Sequence, residues 1–301
     1  MSKAAILLST YNGEKYLKEQ LDSLFAQTYK DFEVIVRDDG SSDKTLEVLK
    51  SYNVKILEIN KNLGAKASFS ELLSYALQNS DSDYFMFCDQ DDVWYTDKVE
   101  KSLSKMLWME NKFGDIPLLV HTDLEVVDDK LSTLNDSFMN FQKINPFKNK
   151  FHNLLMQNTI TGCTAIINRK LAEKCLPVSN NAIMHDWWIG LVASYFGKIG
   201  YVKDSTMKYR QHASNTIGAK GFDVSFVIKS IYKKISLDNN IHQAKAFLEQ
   251  FRNELDDKTI KMLNDFSSLG EKKWRQRRAI LFKHKLTKQG FIRNVGLFFK
   301  I

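Results

Sequence analysis

Apolar residues recur at two alternating spacings through the first third of the chain. KAAILLS (Lys3–Ser9) is an unbroken apolar run of strand length. From Gly13 to Gln27, Tyr16, Leu17, Leu21, Leu24 and Phe25 fall on one helical stripe. FEVIV (Phe32–Val36) predicts a second strand, Thr45–Tyr52 a short helix and VKILEI (Val54–Ile59) a third strand. NKNLGAKAS opens a helix running to about Gln78, and DYFMFC (Asp83–Cys88) predicts a fourth strand. Strands alternating with helices imply right-handed crossovers and a mostly parallel sheet. The pattern then loosens. Pro117–Asp128 and Ile160–Arg169 predict strands, with a helix or loop between them. His185–Gly197 predicts a helix, KIGYVKDSTMKYRQH two short strands, and everything from Phe222 onward reads helical.

In such a sheet, ligands bind at the carboxyl ends of the strands. STYNGE, RDDGSSD, NLGAK and CDQDD each follow a strand end, so four polar loops are expected to converge on one edge. The last of these places Asp89, Asp91 and Asp92 directly after a buried run. Like charges repel at close range unless a cation sits among them, and carboxylate oxygens suit a hard ion such as Mg²⁺ or Mn²⁺. A solvated acidic turn is the plainer alternative, and Asp97 is the better cap for the following helix. Asp38 and Asp39 form a second acidic doublet, suited to accept from a pyrimidine N3–H. Ser42 or Asp43 is placed to cap the next helix. Thr10 and Asn12 supply hydrogen bonds and Tyr11 a stacking face, unless the stretch is simply a helix cap. Gly64 and Lys66 lie near a helix N-terminus, where an anion is favoured. HDWW (His185–Trp188) joins a candidate base, a titratable ring and two aromatic platforms. YRQH carries Arg210 and His212 at a predicted strand end.

Composition narrows the class. The chain has 301 residues, 44% hydrophobic, with only three prolines, which is enough for a large core. Three cysteines without a C-x-x-C pair fit a reducing compartment better than a disulfide scaffold. No stretch reaches the ~18 apolar residues of a membrane helix. Charge is uneven. Residues 271–301 hold ten Lys or Arg against the single acid Glu271, whereas the first 270 hold 33 against 35 acids.

Taken together and in this order, STYNGEKYL, RDDGSSD, NLGAKAS, CDQDDVW, HDWW and YRQHASNT resemble family 2 glycosyltransferases, inverting enzymes of the A-type glycosyltransferase fold. The likeness covers about residues 4 to 218, and CDQDDVW with HDWW looks most like bacterial rhamnosyltransferases that build capsule, O-antigen or rhamnan chains. The fold implied is α/β, with a mostly parallel Rossmann-like sheet flanked by helices. Residues 1–220 would form the nucleotide-sugar-binding catalytic domain and 221–301 a helical, basic extension. By the resemblance, Thr10, Tyr11, Asn12, Glu14, Asp38, Asp39, Gly64, Lys66 and Asp89 serve the nucleotide. Asp89, Asp91 and His212 hold Mn²⁺ or Mg²⁺, and Asp186 is the general base. Asp92, Trp94, His185, Trp187, Trp188 and Arg210 would line the sugar and acceptor. The usual acidic residue before the base is replaced by His185. The Q-x-x-R-W motif of processive synthases is absent, so one sugar per encounter is expected.

The donor implied first is dTDP-L-rhamnose, and the acceptor a lipid-linked or oligosaccharide hydroxyl. Alternatives are a UDP-hexose or UDP-N-acetylhexosamine donor, or an inactive nucleotide-binding relative. The basic tail mixes its cations with Trp274, Phe282, Phe291 and Phe298, which suits an amphipathic helix on anionic lipid. A helical hairpin packed on the body is the other reading. The near-neutral body and the lack of a docking motif argue against nucleic acid. A cytoplasmic protein, peripheral on the inner face of the membrane, is the expectation.

Overall fold

The structure, a computed structural model, describes residues 3–57, 61–212 and 236–301. The expected strand end at Ile59, the boundary near 220 and the helical start at Phe222 lie outside those residues.

Strands β1 (Ala4–Thr10), β2 (Phe32–Asp38), β3 (Lys55–Leu57) and β4 (Tyr84–Cys88) pair in parallel in the order β3-β2-β1-β4. Their connections carry helices α1 (Leu17–Phe25), α2 (Thr45–Lys50) and α3 (Ala65–Asn79). Strands β1, β2 and β4 carry buried apolar residues on both faces because each face is covered. Ala5, Leu7, Ile35, Phe85 and Phe87 enter one core cluster, and Ala4, Ile6, Leu8, Val34, Val36 and Met86 the other. Parallel register fixes the consequence. Thr10 lies beside Asp38, Leu8 beside Cys88 and Arg37 beside Leu57, so all four chains leave the sheet at one edge.

The sheet continues through short β5 (Val93–Trp94), β6 (Leu118–Val127), β7 (Thr133–Asn135), β8 (Ala165–Asn168) and β9 (Lys198–Arg210). Among the described residues the sheet has nine strands, ordered β3-β2-β1-β4-β8-β6-β9-β5, with β7 pairing β6. Helix α4 (Lys98–Phe113) follows β5; α5 (Phe138–Gln142) and α6 (Phe151–Leu154) follow β7. Helix α7 (Arg169–Cys175) follows β8, and α8 (His185–Phe196) precedes β9.

Three expectations are corrected. KIGYVKDSTMKYR forms one strand rather than two: the register slips between Thr122 and Asp123, and Lys203 and Asp204 bulge outward as exposed residues. The polar interruption is a bulge, and pairing resumes beyond it. Of Ile160–Arg169, only Ala165–Asn168 is strand, preceded by a 3₁₀ turn at Gly162–Thr164. Asp97 holds the cap position of α4 but makes no capping bond, pairing instead with Lys101 at 2.9 Å.

The C-terminal helices α9 (Asp238–Phe251), α10 (Asp257–Ser267), α11 (Trp274–Lys283) and α12 (Phe291–Lys300) pack on the body. Phe247, Leu263, Leu281, Leu286 and Leu297 share a core cluster with α3, α7 and α8. Gln289 bonds Asn145 through both its amide atoms. No helix among the described residues is long and apolar enough to cross a membrane.

Candidate active site

The four polar loops meet and are tied by side chain–backbone bonds. The Gln90 amide clamps the Tyr11 backbone, accepting from Tyr11 N at 2.8 Å and donating to Tyr11 O at 2.9 Å. A Cβ at Gly13 would lie 2.4 Å from Gln90 Oε1, so only glycine fits under that clamp. Asn12 and Glu14 are both spent on the neighbouring loop. Asn12 Oδ1 accepts from Ser42 N and Glu14 Oε2 from Lys44 N. Tyr11 remains half-exposed, with its ring free to stack.

The acidic doublet is buried and internally satisfied. Asp38 accepts from Thr10 Oγ1 at 2.8 Å and from Ser41 N at 2.8 Å. Asp39 pairs with the fully buried Arg37 and accepts from Leu63 N and Gly64 N at 2.8 and 2.7 Å. Gly64 therefore gives its N–H to Asp39. Lys66 is likewise engaged, donating to Asn180 O and Ala182 O at 2.6 and 2.9 Å. These residues build the loops at this edge of the sheet; Lys66 holds the segment that leads into Asp186.

After β4 the chain turns through Asp89–Asp92. Asp91 Oδ2 lies 2.7 Å from His212 Nε2, whose ring packs on Tyr16 at 4.8 Å between centroids. Asp91 and His212 offer an oxygen and a nitrogen to a hard divalent ion, whereas the Asp89 carboxylate groups with Asp92 and Cys163 within 4.8 Å. Burial, then the charges of Asp91 and Asp186, push the Asp89 carboxyl up to about 7. Asp89 and Asp186 thus feel one another across one site, although 97 positions separate them in sequence. Asp186 is held by two backbone donors, Gly162 N at 3.0 Å and Trp187 N at 2.6 Å. Burial raises it to about 6 against those bonds, which favour the ionised form.

The expected lining is the part the structure changes most. Trp94 is 2% exposed, because pairing of β5 with β9 turns its ring into the core beneath Lys98. Trp188 is fully buried, donating to Cys175 O at 2.9 Å and stacking on Phe251. Asp92 is also fully buried. Arg210 is a buried strut, bonding Asp91 O at 2.8 Å, Asp129 O at 2.7 Å and Glu19. His185 sits between Phe69 and Phe87 with neither ring nitrogen bonded, and burial lowers it to about 3, so it is neutral. Trp187 alone of this set keeps an exposed part, with Nε1 anchored on Leu154 O at 2.5 Å. Helical periodicity explains the split within HDWW: neighbours on a helix face different ways.

Sequence reasoning missed the turn Thr161–Thr164. Gly162 supplies the N–H that orients Asp186, and Cys163 lies against Asp89 and Asp92. A thiol and a glycine within TGCT, just ahead of an apolar run, were the available signal.

Comparison with known proteins follows this geometry. The sequence model described as "Glycosyl transferase family 2" matches residues 5–176. An uncharacterised glycosyltransferase of Rickettsia typhi is 33% identical over 176 residues, 56% of this chain and 51% of that one. One of Rickettsia prowazekii is 30% identical over 219 residues, 70% of this chain and 65% of that one. The chain therefore spans less than two thirds of these relatives. The dTDP-rhamnosyl transferase RfbG of Shigella flexneri is 28% identical over 251 residues, 77% of this chain and 79% of RfbG. Among solved structures, S. aureus TarS 1–349 in complex with UDP-GlcNAc superposes with a TM-score of 0.54 at 15% identity, covering 94% of this chain and 89% of that one. Mannosyltransferase PcManGT from Pyrobaculum calidifontis, in complex with GDP-Man and Mn²⁺, gives 0.51 at 15%, covering 94% and 86%.

A Cβ on Gly162 would lie 2.9 Å from His185 Nε2 and 3.5 Å from Asp186 Cβ, whereas one on Gly270 meets nothing within 4 Å. Gly162→Ala is expected to destabilise the fold by about 1–3 kcal/mol through overpacking. Gly270→Ala should leave it unchanged within about 0.5 kcal/mol. Urea midpoints of the two variants check this.

Proposed function

The chain belongs to glycosyl transferase family 2, with the A-type glycosyltransferase fold, and from that premise we propose a non-processive, inverting transferase that moves L-rhamnose from dTDP-L-rhamnose to a hydroxyl of a lipid-linked or oligosaccharide acceptor in bacterial surface polysaccharide synthesis. The donor follows the resemblance to RfbG across most of both chains. Residues 1–220 are assigned to catalysis and 221–301 to a helical extension.

The observation that carries the reaction is that one turn joins the two carboxylates: Gly162 N holds Asp186, and the next residue, Cys163, lies against Asp89. The acceptor hydroxyl attacks C1 of the sugar from the face opposite the diphosphate. The new C1–O bond forms as the C1–O bond to phosphate breaks, so configuration inverts. The diphosphate leaves with the electron pair, and the hydroxyl proton passes to Asp186. Gly162 and Trp187 hold that carboxylate in place. Asp89, Asp91 and His212 would hold Mn²⁺ or Mg²⁺, which when bound neutralises charge on the departing diphosphate. Thr10, Tyr11, Asn12, Glu14, Asp38, Asp39 and Gly64 shape the nucleotide edge, with Tyr11 as the stacking face.

The exposed flank of α11 and α12 supports peripheral attachment to the cytoplasmic face of the membrane. Phe282 and Phe291 are 65% and 83% exposed, and Arg275 and Arg278 bracket the half-exposed Trp274. Phe282 stacks on Phe298 at 4.6 Å, joining the two helices into one amphipathic surface.

Asp186→Asn is expected to lower kcat by about 10²–10⁴-fold while nucleotide affinity stays unchanged. Because a base must be ionised to act, wild-type kcat should fall as pH drops through about 6. A thermal-shift panel with Mn²⁺ tests the donor: dTDP-rhamnose at ~100 times its Kd should add ~2.7 kcal/mol. A preference for UDP-sugars would overturn the rhamnose assignment and leave the fold and chemistry standing. For the membrane surface, the double change Phe282→Ser and Phe291→Ser should abolish co-sedimentation with anionic vesicles at low salt. Equal sedimentation of wild type and variant would remove that assignment.

A further inference from the structure

Behind the open Asp91–His212 pair lies a second, buried donor set. One ligand atom each from Asp89, Asp92 and Cys163 lie within 4.8 Å of one another. Backbone pairing builds it. Strand β4 runs antiparallel to β8 with Met86 opposite Ile166, and the 3₁₀ turn just ahead of β8 brings Cys163 against Asp89. Asp92 then arrives from the following turn, its Oδ1 accepting from Arg210 N at 3.2 Å.

The independent sign of a ligand is the other oxygen. Asp92 Oδ2 is buried and meets no N–H or O–H donor among the described residues; the thiol of Cys163, itself in the donor set, is the group that interacts with this carboxyl. A buried carboxylate oxygen left this way is costly unless a cation or proton meets it. Lys98, the buried cation nearby, does not meet it. Its Nζ lies 3.3 Å from Thr206 Oγ1 and 3.4 Å from Met207 Sδ, and 4.6 Å above the Trp94 ring. The remaining member is sulfur, a poor ligand for Mg²⁺ or Mn²⁺ and a good one for Zn²⁺ or Cd²⁺. Two carboxylate oxygens and a thiolate, with water in the fourth place, make a tetrahedral set for such an ion. Tetrahedral coordination draws these atoms closer together than the 4.8 Å within which they lie.

We propose that Asp89, Asp92 and Cys163 form a binding site for a thiophilic divalent cation, Zn²⁺ or Cd²⁺, distinct from the open Asp91–His212 pair. On binding, the Cys163 S–H gives its proton to solvent and a metal–sulfur bond forms; no oxidant is involved. Asp89 is common to both donor sets, so the thiophilic ion draws it away from the hard-ion position and inhibits transfer. Binding itself does not depend on the reaction assigned above, and only the inhibition rests on it.

The test is a Cd²⁺ titration of the full chain, free of other metals and kept reduced, read by the ultraviolet thiolate-to-metal charge-transfer band. A band saturating at one equivalent is expected. It should vanish in both Cys163→Ser and Cys163→Ala, persist in Cys175→Ser, and persist in Asp91→Asn. Asp92→Asn should weaken Cd²⁺ by about tenfold or more. Loss of the band in Cys163→Ala, in a variant that still unfolds cooperatively, separates ligand loss from misfolding. No band in the wild type, or a band that survives both Cys163 variants, overturns the site. Cd²⁺ binding without inhibition of the Mn²⁺-supported reaction would overturn the sharing of Asp89.

Discussion

The site depends on keeping carboxylates together that would otherwise repel. Asp89, Asp91, Asp92 and Asp186 converge at one sheet edge, and burial with mutual repulsion raises Asp89 and Asp92 above the ordinary carboxylate range. The scaffold tolerates this because the atoms that hold the carboxylates are backbone groups fixed by the sheet. Arg210 N meets Asp92, and Gly162 N and Trp187 N meet Asp186. Backbone donors supply partial positive charge without adding mobile cations that would compete for the substrate. In the proposed function a cation and a diphosphate complete the site.

The remaining architecture serves that edge. Parallel pairing of β1, β2, β3 and β4 delivers four polar loops to one place. Side chain–backbone bonds then stitch the loops together: the Gln90 and Asn12 amides meet Tyr11 and Ser42, and the Asp39 carboxylate accepts from Leu63 N and Gly64 N. The antiparallel half of the sheet brings in Gly162, Cys163 and His212 from positions far along the chain. The C-terminal helices cover one sheet face, leaving their aromatic flank outward.

Much of this was legible in the sequence because strand and loop differ sharply in polarity. Unbroken apolar runs followed at once by Asp, Asn and Gly located the strand ends and therefore the edge. Side-chain direction was not legible. Trp94, Trp188, Asp92 and Arg210 read as lining by residue type, yet a two-residue strand, one helical turn and a buried strut point them inward. Type says what a side chain can bind, while long-range pairing decides which way it faces. The single β9 strand was hidden for a related reason, since a polar triplet marks a bulge as readily as a turn. Lys66 shows the same limit: near a helix N-terminus it suggests an anion, but two carbonyls already hold it.

That last contact has a consequence for anyone who would re-engineer the protein. Helix α3 opens at Gly64, whose N–H holds Asp39, and two residues on it holds the segment ahead of Asp186 through Lys66. The nucleotide edge and the proposed base thus hang from one strut. Their loops are not interchangeable modules. A transplanted donor loop that shifts the start of α3 carries the far side of the site with it, so a change of donor has to be designed together with the geometry of the base.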